Sequence, residues 1–148
     1  MDYTTTNFQL EDLAKKLKIN LIGVFSKDEL PERPQIGGYI LNLQNSDDGG
    51  GTHWVAMNIS PDRRVTYFDS FGLRPPIEVK QFVNQYPIMS NIRHIQSLDS
   101  SLCGYYSLLF LKMIQKTKNT AERFDDFLNR FREDKEHNET IVKKYFGL

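Results

Sequence analysis

The chain has 148 residues, enough for one domain with a single hydrophobic core. Its 19 basic and 19 acidic residues cancel, so the net charge gives no general attraction to nucleic acid or to an acidic membrane. The sequence has no apolar run that could cross a membrane, and its first residues lack a secretion signal. We therefore expect a monomeric single domain over residues 1–148 that is not secreted and does not bind membranes.

One helix and four strands are predicted for the first half of the chain. The apolar residues at helical spacing are Leu10, Leu13, Ala14 and Leu17, and Asn7 is the expected cap. Short runs rich in β-branched and aromatic residues predict strands at 19–25, 38–44, 52–59 and 65–70. A turn at 60–63 joins the last two strands into a hairpin, which brings their outer ends together.

The second half of the chain is mainly helical. A helix is predicted over 77–86, and residues 91–95 are predicted to form the last strand. The run 105–111 is apolar nearly all round, which is typical of a helix buried on every side. The residues expected to cap the last three helices are Ser100 or Ser101, Asn119 and Asn138, with Gly147 ending the final helix. This order of elements favours an α+β fold.

Cys103 is the single cysteine of the chain, placed where a polar loop meets the buried helix. A lone cysteine excludes an internal disulfide and a zinc site made of several thiolates. A thiol attacks only as its thiolate, and free cysteine, with a pKa near ~8.5, is mostly protonated at neutral pH. A helix N-terminus and a nearby imidazole both favour the thiolate. Cys103 is therefore a candidate nucleophile, and the alternative is a buried cysteine that acts as a small hydrophobic residue.

Three histidines are candidates for the base. His53 begins a predicted strand, and the hairpin brings Asp69 to the same end of the sheet, where a carboxylate would orient the imidazole. His94 lies on the predicted strand before Gln96 and is a second possibility, whereas His137 lies in a charged, solvent-exposed segment. A histidine on a strand and an aspartate before a turn are also common without any catalytic role.

Gln96 and Trp54 complete the set of candidate residues. The amide of Gln96 would donate a hydrogen bond to a developing oxyanion, together with the backbone N–H of Cys103. Trp54 follows His53 directly and would form a wall of a cleft. A single glutamine in a loop has many possible roles, so the residue type alone does not assign this one.

The order and spacing of these residues resemble a family of cysteine proteases. The matching positions are His53-Trp54, the segment Tyr-Phe-Asp-Ser-Phe-Gly at 67–72, Gln96-Ser97 and Cys103-Gly104. They are similar to the adenovirus protease (adenain) and to the SUMO-specific, Ulp-like proteases of the same clan, and the likeness covers about residues 20–112. The resemblance implies an α+β, Ulp/adenain-like fold, in which a mixed sheet packs on a central helix that carries the cysteine at its N-terminus.

The resemblance also implies a role for each matching residue. The expected catalytic residues are Cys103 as nucleophile, His53 as general base and acid, Asp69 as the orienting acid, and Gln96 in the oxyanion hole. The residues expected to contact the substrate are Trp54, Gly51 and Gly104. This chemistry involves no metal and no other cofactor.

The implied function is that of a cysteine endopeptidase, a thiol protease with a catalytic triad. We expect it to cleave viral capsid precursors at glycine-containing sites during virion maturation, as in a virophage or Polinton-type virus. Its partner would be the polypeptide substrate, in the virion and the host-cell cytoplasm (the virus factory), and the neutral charge gives DNA activation little support. The alternatives are a deubiquitinase or SUMO-type protease, an acyltransferase, and a catalytically silent peptide-binding module.

Overall fold

The computed structural model describes residues 2–44, 53–116 and 120–148, with only the backbone of Thr120. Within these ranges the chain forms five helices and one five-stranded sheet, which confirms the predicted α+β class. In chain order the elements are α1 (Asn7–Lys16), β1 (Leu21–Ser26), β2 (Gly37–Asn42), β3 (Trp54–Ile59), β4 (Val65–Phe68), α2 (Ile77–Phe82), β5 (Ile88–Ser90), α3 (Cys103–Ile114), α4 (Thr120–Leu128) and α5 (Lys135–Phe146). None of the described helices is long and apolar enough to span a membrane.

The strands lie side by side in chain order and form a mixed sheet. The inner pairs, β2–β3 and β3–β4, are antiparallel, whereas the outer pairs, β1–β2 and β4–β5, are parallel. In the β3–β4 hairpin, Ile59 pairs with Val65 beside the turn and Ala56 pairs with Phe68 near the open end. His53 precedes β3 and Asp69 follows β4, so the confirmed hairpin brings both residues to one end of the sheet.

Helix α3 is the centre of the core on one face of the sheet. All of its residues except Tyr105 and Lys112 are buried, because the sheet, α1, α4 and α5 all pack against it. Phe110 of α3 stacks on Phe68 of β4 with 5.3 Å between the ring centroids. A second apolar cluster lies on the other face of the sheet and includes Tyr39 of β2 and Val79 of α2. The predicted buried helix is therefore confirmed, and it extends over twelve residues.

The caps predicted for α1 and α5 are wrong. Thr6, not Asn7, caps α1: its hydroxyl accepts from the Gln9 N–H at 3.2 Å, and the Gln9 side chain accepts from the Thr6 N–H at 2.8 Å. Asp134 caps α5, whereas Asn138 lies inside that helix and is fully buried. The prediction failed because a cap preference is a local property, and the interior takes a polar side chain when it can satisfy backbone groups there.

The serines before α3 do not cap it either. Leu102 occupies the cap position and provides no side-chain hydrogen bond to the helix. The Ser100 hydroxyl accepts from the Leu102 N–H at 3.1 Å, and the Ser101 hydroxyl accepts from the Tyr3 N–H at 2.7 Å. The predicted cap at Asn119 lies outside the described residues.

The last strand is Ile88–Ser90, so the predicted strand at 91–95 is wrong. The side chain of Asn91 explains where the ladder stops. Its Oδ1 accepts from the Asp69 N–H at 3.1 Å, and its Nδ2 donates to the Asp69 carbonyl at 2.7 Å. Because a side chain satisfies the backbone groups that another strand residue would bond, the chain leaves the sheet at this point.

We expect Gly72→Ala to destabilise the fold more than Gly147→Ala does. Both glycines have left-handed backbones, with φ of 75° and 69°, and this conformation costs an L-residue roughly 1–2 kcal/mol. A Cβ at Gly72 would also lie 2.7 Å from the Arg93 carbonyl oxygen, whereas one at Gly147 would meet nothing within 4 Å. Urea unfolding of both variants measures the difference, and equal losses of unfolding free energy would contradict this explanation.

Candidate active site

The side chains of His53 and Asp69 meet at the open end of the hairpin. Nε2 of His53 lies 2.8 Å from Oδ1 of Asp69. The Asp69 side chain is fully buried, and 14% of the His53 side chain is exposed. A carboxylate oxygen only accepts hydrogen bonds, so Nε2 carries a proton. The second ring nitrogen, Nδ1, is then the one that can exchange a proton with another group.

Cys103 is the first residue of α3, and 6% of it is exposed. Its Sγ accepts a hydrogen bond from the Trp54 N–H at 3.3 Å. The first N–H groups of a helix have no intrahelical partner, and the helix dipole is positive at this end. The cap residue Leu102 contributes no competing side-chain acceptor. The Trp54 N–H and the helix N-terminus therefore both stabilise a negative charge on the sulfur.

The imidazole of His53 interacts with Cys103 as well as with Asp69. Burial lowers the pKa of His53, but the hydrogen bond to Asp69, the charge of that carboxylate and the proximity of Cys103 raise it, from 6.5 to about 9. Because Nε2 is bonded to Asp69, Nδ1 is the ring nitrogen that remains to interact with Cys103. Nδ1 is buried and has no well-formed hydrogen bond within the described residues. In this structure, no well-formed hydrogen bond therefore joins Nδ1 of His53 to the Cys103 sulfur.

Two residues that the sequence analysis missed hold Asp69 and His53 in place. Oδ1 of Asp69 also accepts from the Phe71 N–H at 2.8 Å, and the Phe71 ring stacks on the His53 ring with centroids 4.6 Å apart. Asn91 bonds both backbone groups of Asp69. Phe71 belongs to the segment 67–72 that carries the family resemblance, so the sequence offered a reason to consider it as part of the site. Asn91 is 22 residues from Asp69 in sequence and left no local signal.

Gln96 is fully buried beside the loop that leads to Cys103. Its Oε1 accepts from the Ser70 hydroxyl. Its Nε2 donates to the Ser100 carbonyl at 3.0 Å and to the Ser100 hydroxyl at 3.1 Å. Both amide hydrogens therefore point towards Ser100 in this conformation, and the role of Gln96 as an oxyanion donor stays a prediction.

The residues predicted to contact the substrate have different surroundings. Trp54 lines a cleft of about 620 Å³ together with the segment 4–7, and its indole N–H donates to the Thr5 carbonyl at 3.2 Å. Gly104 is buried in α3, where an added Cβ would collide with the Thr5 hydroxyl. Gly51 lies outside the described residues. Substrate binding by these three residues stays a prediction.

The other two histidines have different neighbours. His94 packs edge-on against Phe71 with centroids 5.3 Å apart, and the backbone N–H of His137 donates to Asp134 at the start of α5. Among the described histidines, His53 alone forms an ion pair with a carboxylate. Within the described ranges, no group of three or more His, Cys, Asp or Glu residues is placed to hold a metal ion.

Comparisons with known proteins give likenesses in fold only. No family model matches the chain, and no curated protein matches it in sequence. The crystal structure of the ASFV pS273R protease is 21% identical, covers 87% of this chain and 67% of its own, and has a TM-score of 0.45. The selenomethionine form of that protease is 18% identical over 87% and 68% of the two chains, with a TM-score of 0.47. The central domain of the Lpg1148 protein from Legionella pneumophila is 10% identical over 98% and 96%, with a TM-score of 0.49.

We expect Asp69→Asn to lower the pKa of His53 from its wild-type value of about 9. The substitution removes the negative charge and preserves the size of the side chain, while the burial that opposes protonation remains. NMR titration of the imidazole signals measures this pKa, with His53→Gln to assign the His53 signal among the three histidines. A pKa that stays near its wild-type value would show that Asp69 does not keep His53 protonated.

Proposed function

We propose that the protein is a cysteine endopeptidase in which Cys103 attacks the peptide bond. One observation carries this proposal: the His53 ring is bonded to the buried Asp69 carboxylate at 2.8 Å, at the same end of the fold as Cys103, whose sulfur accepts from the backbone N–H of the next residue, Trp54. An imidazolium beside a thiolate, oriented by a carboxylate, provides a reactive sulfur nucleophile and a proton donor at neutral pH. The corresponding fold proposal is the Ulp/adenain-like class.

The first step would be attack of the Cys103 thiolate on the carbonyl carbon of the scissile bond. A C–S bond forms as the π electrons of the carbonyl move to its oxygen. The backbone N–H of Cys103, at the start of α3, and the amide of Gln96 are the proposed donors to this oxyanion. Removing one donor of this kind typically costs about 3 kcal/mol in the transition state.

The proton on His53 would complete the acylation. As the tetrahedral intermediate collapses, the C–N bond breaks and Nδ1 of His53 gives its proton to the leaving amine nitrogen. A water molecule then attacks the thioester carbon while Nδ1 takes a proton from it. The C–S bond breaks, the carboxylic acid product leaves, and the thiolate and the imidazolium are restored.

The space around the sulfur supports a preference for small substrate residues. Cys103 is 6% exposed and Trp54 is 7% exposed, and the Trp54 backbone contacts the sulfur. A bulky side chain next to the scissile bond would have to displace this wall, whereas glycine would not. We therefore propose that cleavage occurs at glycine-containing sites. We further propose that the substrates are viral capsid precursors and that a monomeric enzyme processes them in the virion and the host-cell virus factory.

Cleavage of a capsid precursor tests the reaction directly. We expect Cys103→Ala and His53→Ala to lose activity by about 10³-fold or more, because the nucleophile or its proton donor is missing. Mass spectrometry of the cut sites measures the product and its flanking residues. Ser60→Ala is the control, since Ser60 lies at the turn end of the hairpin and is buried to 5% exposure. Cleavage by Cys103→Ala at the wild-type rate would exclude the proposed nucleophile.

Two reagents separate this proposal from its alternatives. A thiol-directed electrophile at mildly acidic pH labels an ion-paired thiolate but not an ordinary thiol, so a silent binding module would stay unlabelled. Rapid turnover of a fluorogenic ubiquitin or SUMO C-terminal substrate, without cleavage of the precursor, would instead favour the deubiquitinase or SUMO-type protease.

We expect the rate of acylation to fall as the pH rises through about 9. His53 has a pKa of about 9, so above this pH the ring has lost the proton that the leaving amine needs. The measurement is kcat/KM against pH for a peptide substrate. Asp69→Asn should shift this fall in kcat/KM to lower pH, in parallel with the pKa of His53. A fall at the same pH in the variant would contradict the assignment of His53 as the proton donor.

A further inference from the structure

A group of buried polar side chains joins the residue after Asp69 to the loop before Cys103. Ser70 is 1% exposed and Gln96 is fully buried. The Ser70 hydroxyl bonds Oε1 of Gln96, and the Ser70 carbonyl accepts from the Gln96 backbone N–H at 2.9 Å. Nε2 of Gln96 donates to Ser100. Ser70 therefore contacts Gln96 through both its backbone and its side chain.

The Gln96 amide lies between the Ser70 hydroxyl, which can donate or accept a hydrogen bond, and the Ser100 carbonyl, which can only accept one. The Ser100 carbonyl can only accept, so the amide atom 3.0 Å from it must be the nitrogen. The amide oxygen at the other end has no hydrogen, so the Ser70 hydroxyl must be the donor to it. A reversed amide would direct its oxygen at the Ser100 carbonyl, so Ser100 fixes which end of the amide carries the nitrogen, and the Ser70 hydroxyl then holds the oxygen end. The amide therefore has one favoured orientation.

We propose that Ser70 is a positioning residue for the hydrolysis, because its hydroxyl holds Oε1 of Gln96 and so keeps the amide, in the orientation that Ser100 sets, fixed beside the loop before Cys103. This inference rests on the proposed function. Without the bond from Ser70, the oxygen end of the amide would be free to move, and its N–H groups would no longer be held in place for the developing oxyanion. The hydroxyl of Ser70 thus acts on the reaction through Gln96, without touching the substrate.

One of the two hydrogens on Nε2 must leave Ser100 for this role. The hydrogen on the Ser100 carbonyl stays in place, and a small rotation of the amide would bring the other, whose nitrogen lies 3.1 Å from the Ser100 hydroxyl oxygen, onto the oxyanion. The Ser100 hydroxyl keeps the Leu102 N–H as a donor at 3.1 Å, so it is not left unpaired. The exchange therefore costs little hydrogen bonding within the loop.

The test compares peptide hydrolysis with alkylation of Cys103 by iodoacetamide. Alkylation needs the thiolate but forms no oxyanion, so it does not depend on the Gln96 amide. We expect Ser70→Ala to lower kcat about 10- to 100-fold, with little change in KM or in the alkylation rate. Ser60→Ala, which removes the hydroxyl of another serine buried to 5% exposure, should change neither rate.

A double-mutant cycle connects the effect to Gln96. In the Gln96→Ala background, Ser70→Ala should cause no further loss of kcat, because the group that Ser70 orients is already missing. If Ser70→Ala does not fold, Ser70→Thr and Ser70→Val give the same comparison, since they share a shape and differ in the hydroxyl. The threonine variant should then hydrolyse the peptide faster than the valine variant.

Each remaining outcome would overturn a defined part of the inference. Equal losses of hydrolysis and alkylation would show that Ser70 acts on the thiolate or on the whole fold, and additive losses in the cycle would show that it acts independently of Gln96. Normal kcat in a folded Ser70→Ala enzyme would overturn the positioning role alone. No hydrolysis by the wild-type protein, with any precursor, would overturn the proposed function and this inference with it.

Discussion

The hydrogen bond between His53 and Asp69 decides whether the site holds a charge pair or only neutral side chains. Asp69 is fully buried, and Oδ1 accepts from both the His53 ring and the Phe71 N–H. Its Oδ2 has no hydrogen-bond partner among the described residues, so the imidazolium is the main group that offsets the buried charge. The other local contacts serve this pair, because Asn91 holds the Asp69 backbone and Phe71 supports the ring.

The hairpin and the buried helix could be predicted because their signals are local. A turn between two strands and an apolar run of helix length are both visible in a short window of sequence. The strand predicted at 91–95 and the cap predicted at Asn138 failed because distant contacts decide them. Asn91 bonds Asp69, and Nδ2 of the buried Asn138 donates to the Ile95 carbonyl at 3.0 Å. Neither partner lies close in sequence.

The residues of the candidate site differ in how much could be predicted about them from the sequence. The predicted hairpin placed His53 and Asp69 at one end of the sheet, and the boundary between polar and apolar residues placed Cys103 at the start of a helix. Both placements followed from the sequence pattern. The role of Gln96 was predicted from the family resemblance, which identifies a residue but not its hydrogen bonds. The structure adds that its amide lies between two serines, Ser70 and Ser100, a constraint that no sequence window contains.

The contacts that assemble the site join parts of the chain that are far apart in sequence. Trp54 bonds Cys103 across 49 residues, and the Tyr3 N–H bonds Ser101 across 98. Closing such long loops is entropically costly, so these contacts form later in folding than local structure does. Cys103 and the pair of His53 and Asp69 therefore come together only after most of the chain has been made and has collapsed. A nascent or partly unfolded chain would have the thiol without the bonded histidine and aspartate beside it.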